Sequence, residues 1–170
     1  VEIVTERGRV LVDECGAFFQ KSTEAYNHQR AQFSELAEGK VAHRIDTSVL
    51  PERLHFDSLV WDKLTEQCLD CGICTFLCPT CHCFDIQDEG RPEQGTRVRL
   101  WDSCAFGAFT KTGVGQPRPT HFSRYRQRIM HKFNYYPSHF GEILCVGCGR
   151  CIEYCPVAID IRQVLETVKE

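Results

Sequence analysis

The run Cys68-Leu69-Asp70-Cys71-Gly72-Ile73-Cys74-Thr75-Phe76-Leu77-Cys78-Pro79 decides how this chain is read. Its spacing is C-x2-C-x2-C-x3-C-P. The same spacing returns as Cys145-Val146-Gly147-Cys148-Gly149-Arg150-Cys151-Ile152-Glu153-Tyr154-Cys155-Pro156. Three thiolates this close in sequence can wrap three corners of an iron–sulfur cubane, while the fourth cysteine starts a turn that leads away.

This is the bacterial ferredoxin spacing for 4Fe–4S clusters, and in two-cluster ferredoxins the fourth cysteine of each run ligates the other cluster. On that rule Cys68, Cys71, Cys74 and Cys155 hold one cluster, and Cys145, Cys148, Cys151 and Cys78 hold the other. Gly72, Gly147 and Gly149 allow tight bends that bring N–H groups towards sulfur. Pro79 and Pro156 fix φ and favour an extended residue before them. Two alternatives stay open on spacing alone. Paired C-x2-C motifs also build zinc sites in structural or nucleic-acid-binding modules, although eight thiolates in two quartets exceed one zinc ion's need. A disulfide scaffold would suit a secreted chain.

The chain has 170 residues, twelve cysteines and a formal net charge of −3. That length suits one domain or a domain with an appendage. No apolar run is long enough for direct membrane insertion and no signal-peptide pattern opens the chain, which predicts a cytoplasmic protein. The acidic balance argues against nucleic acid as a partner. No G-x-G-x-x-G or G-x-x-x-x-G-K-S/T occurs, so nothing predicts nucleotide binding by this chain. No catalytic triad can be picked out, and no catalytic residue is expected on this chain.

Taken in order, Val1–Val4 reads as a strand and residues 13–38 as a helix with Phe18, Phe19, Ala25, Phe33, Leu36 and Ala37 inward and Gly39 as its stop. Residues 39–51 read as a linker. A helix over 53–67, with Leu59, Val60, Trp61 and Leu64 inward, delivers the chain to Cys68. Alternation at Phe84 and Ile86 and again over 97–101 predicts a hairpin turning at 88–92. Residues 113–119 read as a Gly/Pro-rich loop. A basic helix follows over 121–133, closed by Tyr135, Tyr136 and Pro137, and a terminal helix spans 159–168. The fold class is therefore α+β: a two-cluster ferredoxin-like core in residues 51–170, with a long folded insertion over 80–136 and a helical N-terminal segment over 1–50.

Several further motifs lie in order across residues 55–160: Cys78-Pro79-Thr80-Cys81-His82-Cys83-Phe84-Asp85, Trp101-Asp102-Ser103-Cys104, Arg118-Pro119-Thr120, Arg124-Tyr125-Arg126-Gln127-Arg128 with His131-Lys132, and the second cysteine run. With them the chain resembles the iron–sulfur beta subunit of cytoplasmic sulfhydrogenases and, equally, the A subunit of anaerobic sulfite reductase. The resemblance implies two 4Fe–4S clusters in an electron-transfer subunit of an anaerobic oxidoreductase complex. Its partners would be a flavoprotein subunit and a terminal redox catalytic subunit. It also implies that residues 1–50 are the end of a larger N-terminal domain. Cys81, Cys83 and Cys104 stand outside both quartets and are either packing thiols or a third metal site. Cys15, without a companion motif, reads as a small hydrophobe. The insertion's arginines, Arg124 and Arg128 among them, are expected to face acidic groups on a partner subunit; the basic helix also reads as an ordinary solvated face or as a contact to the negatively charged cluster environment.

Overall fold

The computed structural model describes residues 1–169. The chain divides into two units, Val1–Arg44 and the remainder from Ile45 onward. In the first unit, α1 (Glu6–Glu14) is capped by Thr5, whose hydroxyl accepts from the Gly8 N–H at 3.1 Å. A 3-10 turn at Gly16–Phe18 follows, then α2 (Glu24–Gly39), capped by Thr23. The helix expected over 13–38 is thus two helices. Thr23 followed by Glu24 is a strong start signal, and it opens a new helix rather than continuing the old one. Val1–Val4 is not a strand: the sheet among the described residues is β1–β2, so this segment has no strand to pair with. Neither helix buries a residue, and Phe18, Phe33 and Leu36 are exposed in place of the expected apolar interface.

A separate helical turn, α3 (Leu50–Arg53), starts within the expected linker, and the helix expected over 53–67 is shortened to α4 (Val60–Thr65). Between them the chain turns so that the His55 carbonyl accepts from the Trp61 indole N–H at 2.9 Å and the Ser58 hydroxyl accepts from the Val60 N–H. A buried indole needs such a partner, and the turn provides it. Trp61 is buried as expected, but Leu59 precedes the helix and faces solvent.

The hairpin forms as β1 (Phe84–Arg91) and β2 (Gln94–Trp101), antiparallel, with Phe84 opposite Trp101 and Arg91 opposite Gln94. Its turn is Pro92–Glu93, later than the expected 88–92. Glu89, Gly90 and Arg91 all pair across the ribbon, leaving Pro92, which has no N–H to donate, at the bend. The ribbon is nearly all exposed and is braced by its own pairs. Arg97 bonds both oxygens of the directly opposed Asp88, at 2.7 and 2.9 Å, and the Arg99 guanidinium lies 4.7 Å from the Phe84 ring centre.

The core of the second unit is organised by α6 (His121–Met130), capped by the Thr120 hydroxyl. Tyr125, Ile129, Met130 and Phe133 meet Leu50, Leu54 and Trp61, together with Ile161, Val164 and Leu165 of α9 (Ile161–Lys169). α9 begins two residues later than expected, after Asp160, whose carboxylate accepts from the Arg162 N–H. Tyr135–Pro137 does not close the basic helix. The helical path continues through a π turn, His131–Tyr135, into α7 (Tyr136–Phe140), and stops at Gly141 with φ +76°. The Tyr136 N–H bonds the His131 carbonyl, five residues back. The next such bond would join Pro137 to the Lys132 carbonyl, but proline has no N–H. That carbonyl instead accepts from the Leu144 N–H at 2.9 Å, which anchors the start of the second cysteine run.

The two cysteine runs repeat each other in backbone as well as spacing. Gly72 (φ +74°) precedes α5 (Ile73–Phe76), and Gly149 (φ +75°) precedes α8 (Arg150–Glu153). Asp70 (φ +54°) and Gly147 (φ +63°) take the same left-handed place two residues earlier. Alternating left-handed and right-handed residues point successive N–H groups into one concavity, a recurrent cradle for anions and iron–sulfur groups. Together the strands and helices make a mixed α+β domain. Among the described residues no helix is long and apolar enough to cross a membrane.

Candidate functional site

One cavity is lined by Cys68, Cys71, Cys74 and Cys155, with Cys151 also on its wall. Tyr125 and Ile161 from the core, and Arg124 and Arg128 from α6, complete its boundary. Cys78, Cys145 and Cys148 lie outside this cavity. Burial raises the Cys68 and Cys74 thiols above their ordinary range, as expected for sulfur packed against apolar walls. The Arg128 guanidinium opposes this at Cys74.

Cys78 has a different setting. Its sulfur lies 3.1 Å from the Lys132 ammonium and 3.3 Å from the Thr80 hydroxyl. Lys132 also donates to Thr80 Oγ1 at 3.0 Å and to the Leu144 carbonyl at 2.9 Å. The Thr80 hydroxyl donates to that same carbonyl at 3.1 Å. The end of the first run is therefore tied to the residue before Cys145. Hydrogen bonding from Cys81, then from Thr80 and Lys132, brings the Cys78 thiol down to about 3 against the effect of burial. Cys81 is raised correspondingly by its bond to Cys78.

Cys83 and Cys104 meet at the base of the hairpin, where the Cys83 carbonyl accepts from the Asp102 N–H at 3.0 Å. Hydrogen bonds from Cys104 lower Cys83 to about 6, and Cys104 is raised. Among the described residues no three His, Cys, Asp or Glu side chains converge as a site for a single metal ion. His82 and His131 stack edge to face, 5.4 Å between ring centres.

Of the arginines expected to face a partner, Arg124 and Arg128 are internal, whereas Arg97 and Arg99 on the hairpin are exposed. Arg128 is 4% exposed, donates to the Cys74 carbonyl at 3.3 Å, and has a buried Nε with no hydrogen-bond partner. Arg124 bonds the Asp70 carboxylate and donates to the Ala105 and Arg118 carbonyls. The Arg126 guanidinium lies over Phe56, 3.6 Å from its ring centre. Of the readings open to this helix, contact with the cluster environment is the one its register supports. Arg124, Arg128 and Lys132 recur every four residues beside the apolar series Tyr125, Ile129 and Phe133, so both stripes turn inward. Such a stripe of cations inside a cysteine-rich domain was the available sign of an anionic interior.

The donor set fits iron–sulfur clusters. Five thiols line a single cavity, left-handed residues recur beside the cysteines of both runs, and two buried cations point at sulfur or at the main chain of the cysteine runs. Such cations are expensive without anions, and cluster-bound thiolates provide them.

Comparison with known proteins agrees with this chemistry. Residues 67–159 match the 4Fe-4S dicluster domain family, and the chain belongs to it. It is a two-cluster protein whose cofactors are two 4Fe–4S clusters. It is 43% identical over 119 residues to sulfhydrogenase 2 subunit beta of Pyrococcus furiosus, covering 69% of this chain and 35% of that protein. It is 24% identical over 173 residues to the F420-dependent formate dehydrogenase subunit beta of Methanocaldococcus jannaschii, covering 99% of this chain and 38% of that protein. The chain thus spans little more than a third of the length of these relatives. No solved structure matches it.

Proposed function

We propose that this chain is the electron-relay part of a cytoplasmic, anaerobic oxidoreductase complex. It carries single electrons between a flavoprotein subunit and a terminal catalytic subunit, and breaks no substrate bond itself. When bound, the clusters supply one-electron redox chemistry. The chain's residues hold them, exclude water and set their surroundings. Cys68, Cys71, Cys74 and Cys155 hold one cluster; Cys145, Cys148, Cys151 and Cys78 hold the other. The observation that carries this reading is the cavity where three cysteines of the first run meet Cys155, the last of the second, with Cys151 also on the wall. The Lys132–Thr80–Leu144 link beside Cys78 supports the reciprocal crossing.

The second cysteine of each run, Cys71 and Cys148, is exposed, with exposed Leu69 and Val146 two residues before each. These are the natural points of electron entry and exit, since they bring a ligand of each cluster to the surface. The insertion over 80–136 supplies a further docking element in its hairpin. Phe84, Ile86 and Trp101 share one face of the ribbon and are exposed, Trp101 to 67%. Aromatic residues of this kind are enriched at protein interfaces. The uncovered Phe18, Phe33 and Leu36 in residues 1–50 support packing of that segment against a further domain or subunit.

Iron and acid-labile sulfide analysis, EPR after dithionite reduction, and anaerobic copurification test the proposal together. The expected result is two 4Fe–4S signals and a stable complex containing a flavoprotein. A colourless protein with stoichiometric zinc and no sulfide would refute it, as would substrate reduction by the isolated chain.

A further inference from the structure

Lys132 is only 1% exposed, in the π turn that follows α6. Its ammonium has three neighbours: the Cys78 sulfur at 3.1 Å, the Thr80 hydroxyl at 3.0 Å and the Leu144 carbonyl at 2.9 Å. An ammonium has three N–H donors, so its donors are fully used and its position is fixed. The main chain reinforces this, because the Lys132 carbonyl, freed by Pro137, accepts from the Leu144 N–H. The charge is therefore held against sulfur by both ends of the residue. No carboxylate is among its bonded neighbours, and the anion it faces is the Cys78 sulfur.

Resting on the two-cluster reading above, we infer that Lys132 sets the reduction potential of the cluster held by Cys78, Cys145, Cys148 and Cys151. Reduction adds one negative charge to a cluster. A fixed cation on a ligand sulfur stabilises that added charge, and burial of the ammonium reduces screening by solvent. Lys132 thereby raises the potential of this cluster and makes its reduced form easier to reach. It is a tuning residue acting through a ligand. Arg128, one turn earlier on the same helical path, provides a control: it is a buried cation on the wall of the cavity lined by Cys68, Cys71, Cys74 and Cys155, bonded to the Cys74 carbonyl rather than to a sulfur.

The test is an anaerobic potentiometric titration, followed by EPR, of the full chain carrying both clusters. Lys132→Met keeps the volume and removes the charge. It should lower one midpoint by at least a tenfold change in the reduced-to-oxidised ratio at fixed ambient potential, about 59 mV for a one-electron couple. The affected signal should be the one perturbed in Cys78→Ser. Arg128→Met should act mainly on the other signal. Unchanged midpoints in Lys132→Met with both clusters present would overturn the inference, as would an equal shift of both signals. If Lys132→Met does not retain the cluster, Lys132→Gln, which keeps a donor without charge, decides in the same way. Loss of the cluster in both variants also overturns it, because Lys132 would then serve assembly rather than potential. A wild-type protein without iron and sulfide would instead refute the two-cluster reading itself.

Discussion

Replacing Asp70 by Asn isolates the ion pair that fastens the first cysteine run to α6. Asp70 lies between Cys68 and Cys71 in the left-handed region, at φ +54°. Asn tolerates that conformation, so the substitution removes charge with little backbone cost. Its partner Arg124 has a side chain 11% exposed, against 26% for Asp70. Exposed pairs contribute at most about 1 kcal/mol. Breaking a fully buried pair costs about 3–5 kcal/mol. Arg124 retains its bonds to the Ala105 and Arg118 carbonyls after the change, which places the expected loss between these limits, at about 2 kcal/mol. If local opening precedes cluster loss, that loss raises the open population about 30-fold. The assay is the anaerobic rate of iron release to a chelator, read at the cluster whose EPR signal is perturbed in Cys155→Ser. A cycle with Arg124→Met and the double variant separates the pair from either residue alone. Additive single effects, or equal acceleration at both clusters, would refute a specific Asp70–Arg124 clamp. Arg124→Glu should likewise accelerate iron loss before it weakens assembly, the reverse of what an exposed docking arginine would do.

Two further outcomes are expected. Cys78→Ser should impair the cluster bound by Cys145, Cys148 and Cys151, while Cys155→Ser should impair the one bound by Cys68, Cys71 and Cys74; EPR showing each serine acting on its own run's cluster would exclude crossed ligation. Phe84→Ser with Trp101→Ser should weaken copurification of a redox partner at least tenfold, with both cluster signals preserved, since the hairpin is exposed and braced by its own Asp88–Arg97 pair.

The cofactor chemistry was legible because it is written in spacing. Two thiol runs of one pattern, each closed by Cys-Pro, specify a bend and a ligand set that few other contexts need. The hairpin was legible for a similar reason, since alternation with period two survives without tertiary context. Helix boundaries were less so. The apolar residues of 53–67 suit one helix, but the Trp61 indole takes its partner from a turn that replaces the first part of the segment. The interior role of Arg124, Arg128 and Lys132 was legible only as one reading of a basic helix, beside solvated and partner-facing ones, because charge sits at the surface by default. That default fails where the interior carries anions of its own, and the thiols of the cysteine runs supply them. The π turn could be seen only once Pro137 was placed within the helical path, where its missing N–H releases the Lys132 carbonyl.

The two runs repeat in backbone but not in their surroundings, and this predicts unequal tolerance at equivalent glycines. Gly72 and Gly149 have φ within a degree of each other, at +74° and +75°, so alanine at either position meets the same left-handed penalty of about 1–2 kcal/mol. Around Gly149 a Cβ would meet nothing within 4 Å. At Gly72 it would stand 2.7 Å from the Phe106 ring, which packs on Phe76 with 5.7 Å between ring centres. Phe106 belongs to the segment between the runs, so that segment closes over the first run and has no equivalent contact at Gly149. Gly149→Ala should therefore cost only the backbone penalty. Gly72→Ala should also displace Phe106, for a further loss of about 1–3 kcal/mol typical of overpacking. The comparison is read as iron release from each cluster in the two variants. Adding Phe106→Ala should relieve the excess in Gly72→Ala and leave Gly149→Ala unchanged. Equal losses for the two alanine variants, or no relief from Phe106→Ala, would mean that the ring does not close over Gly72 and that the runs are as alike in their surroundings as in their spacing.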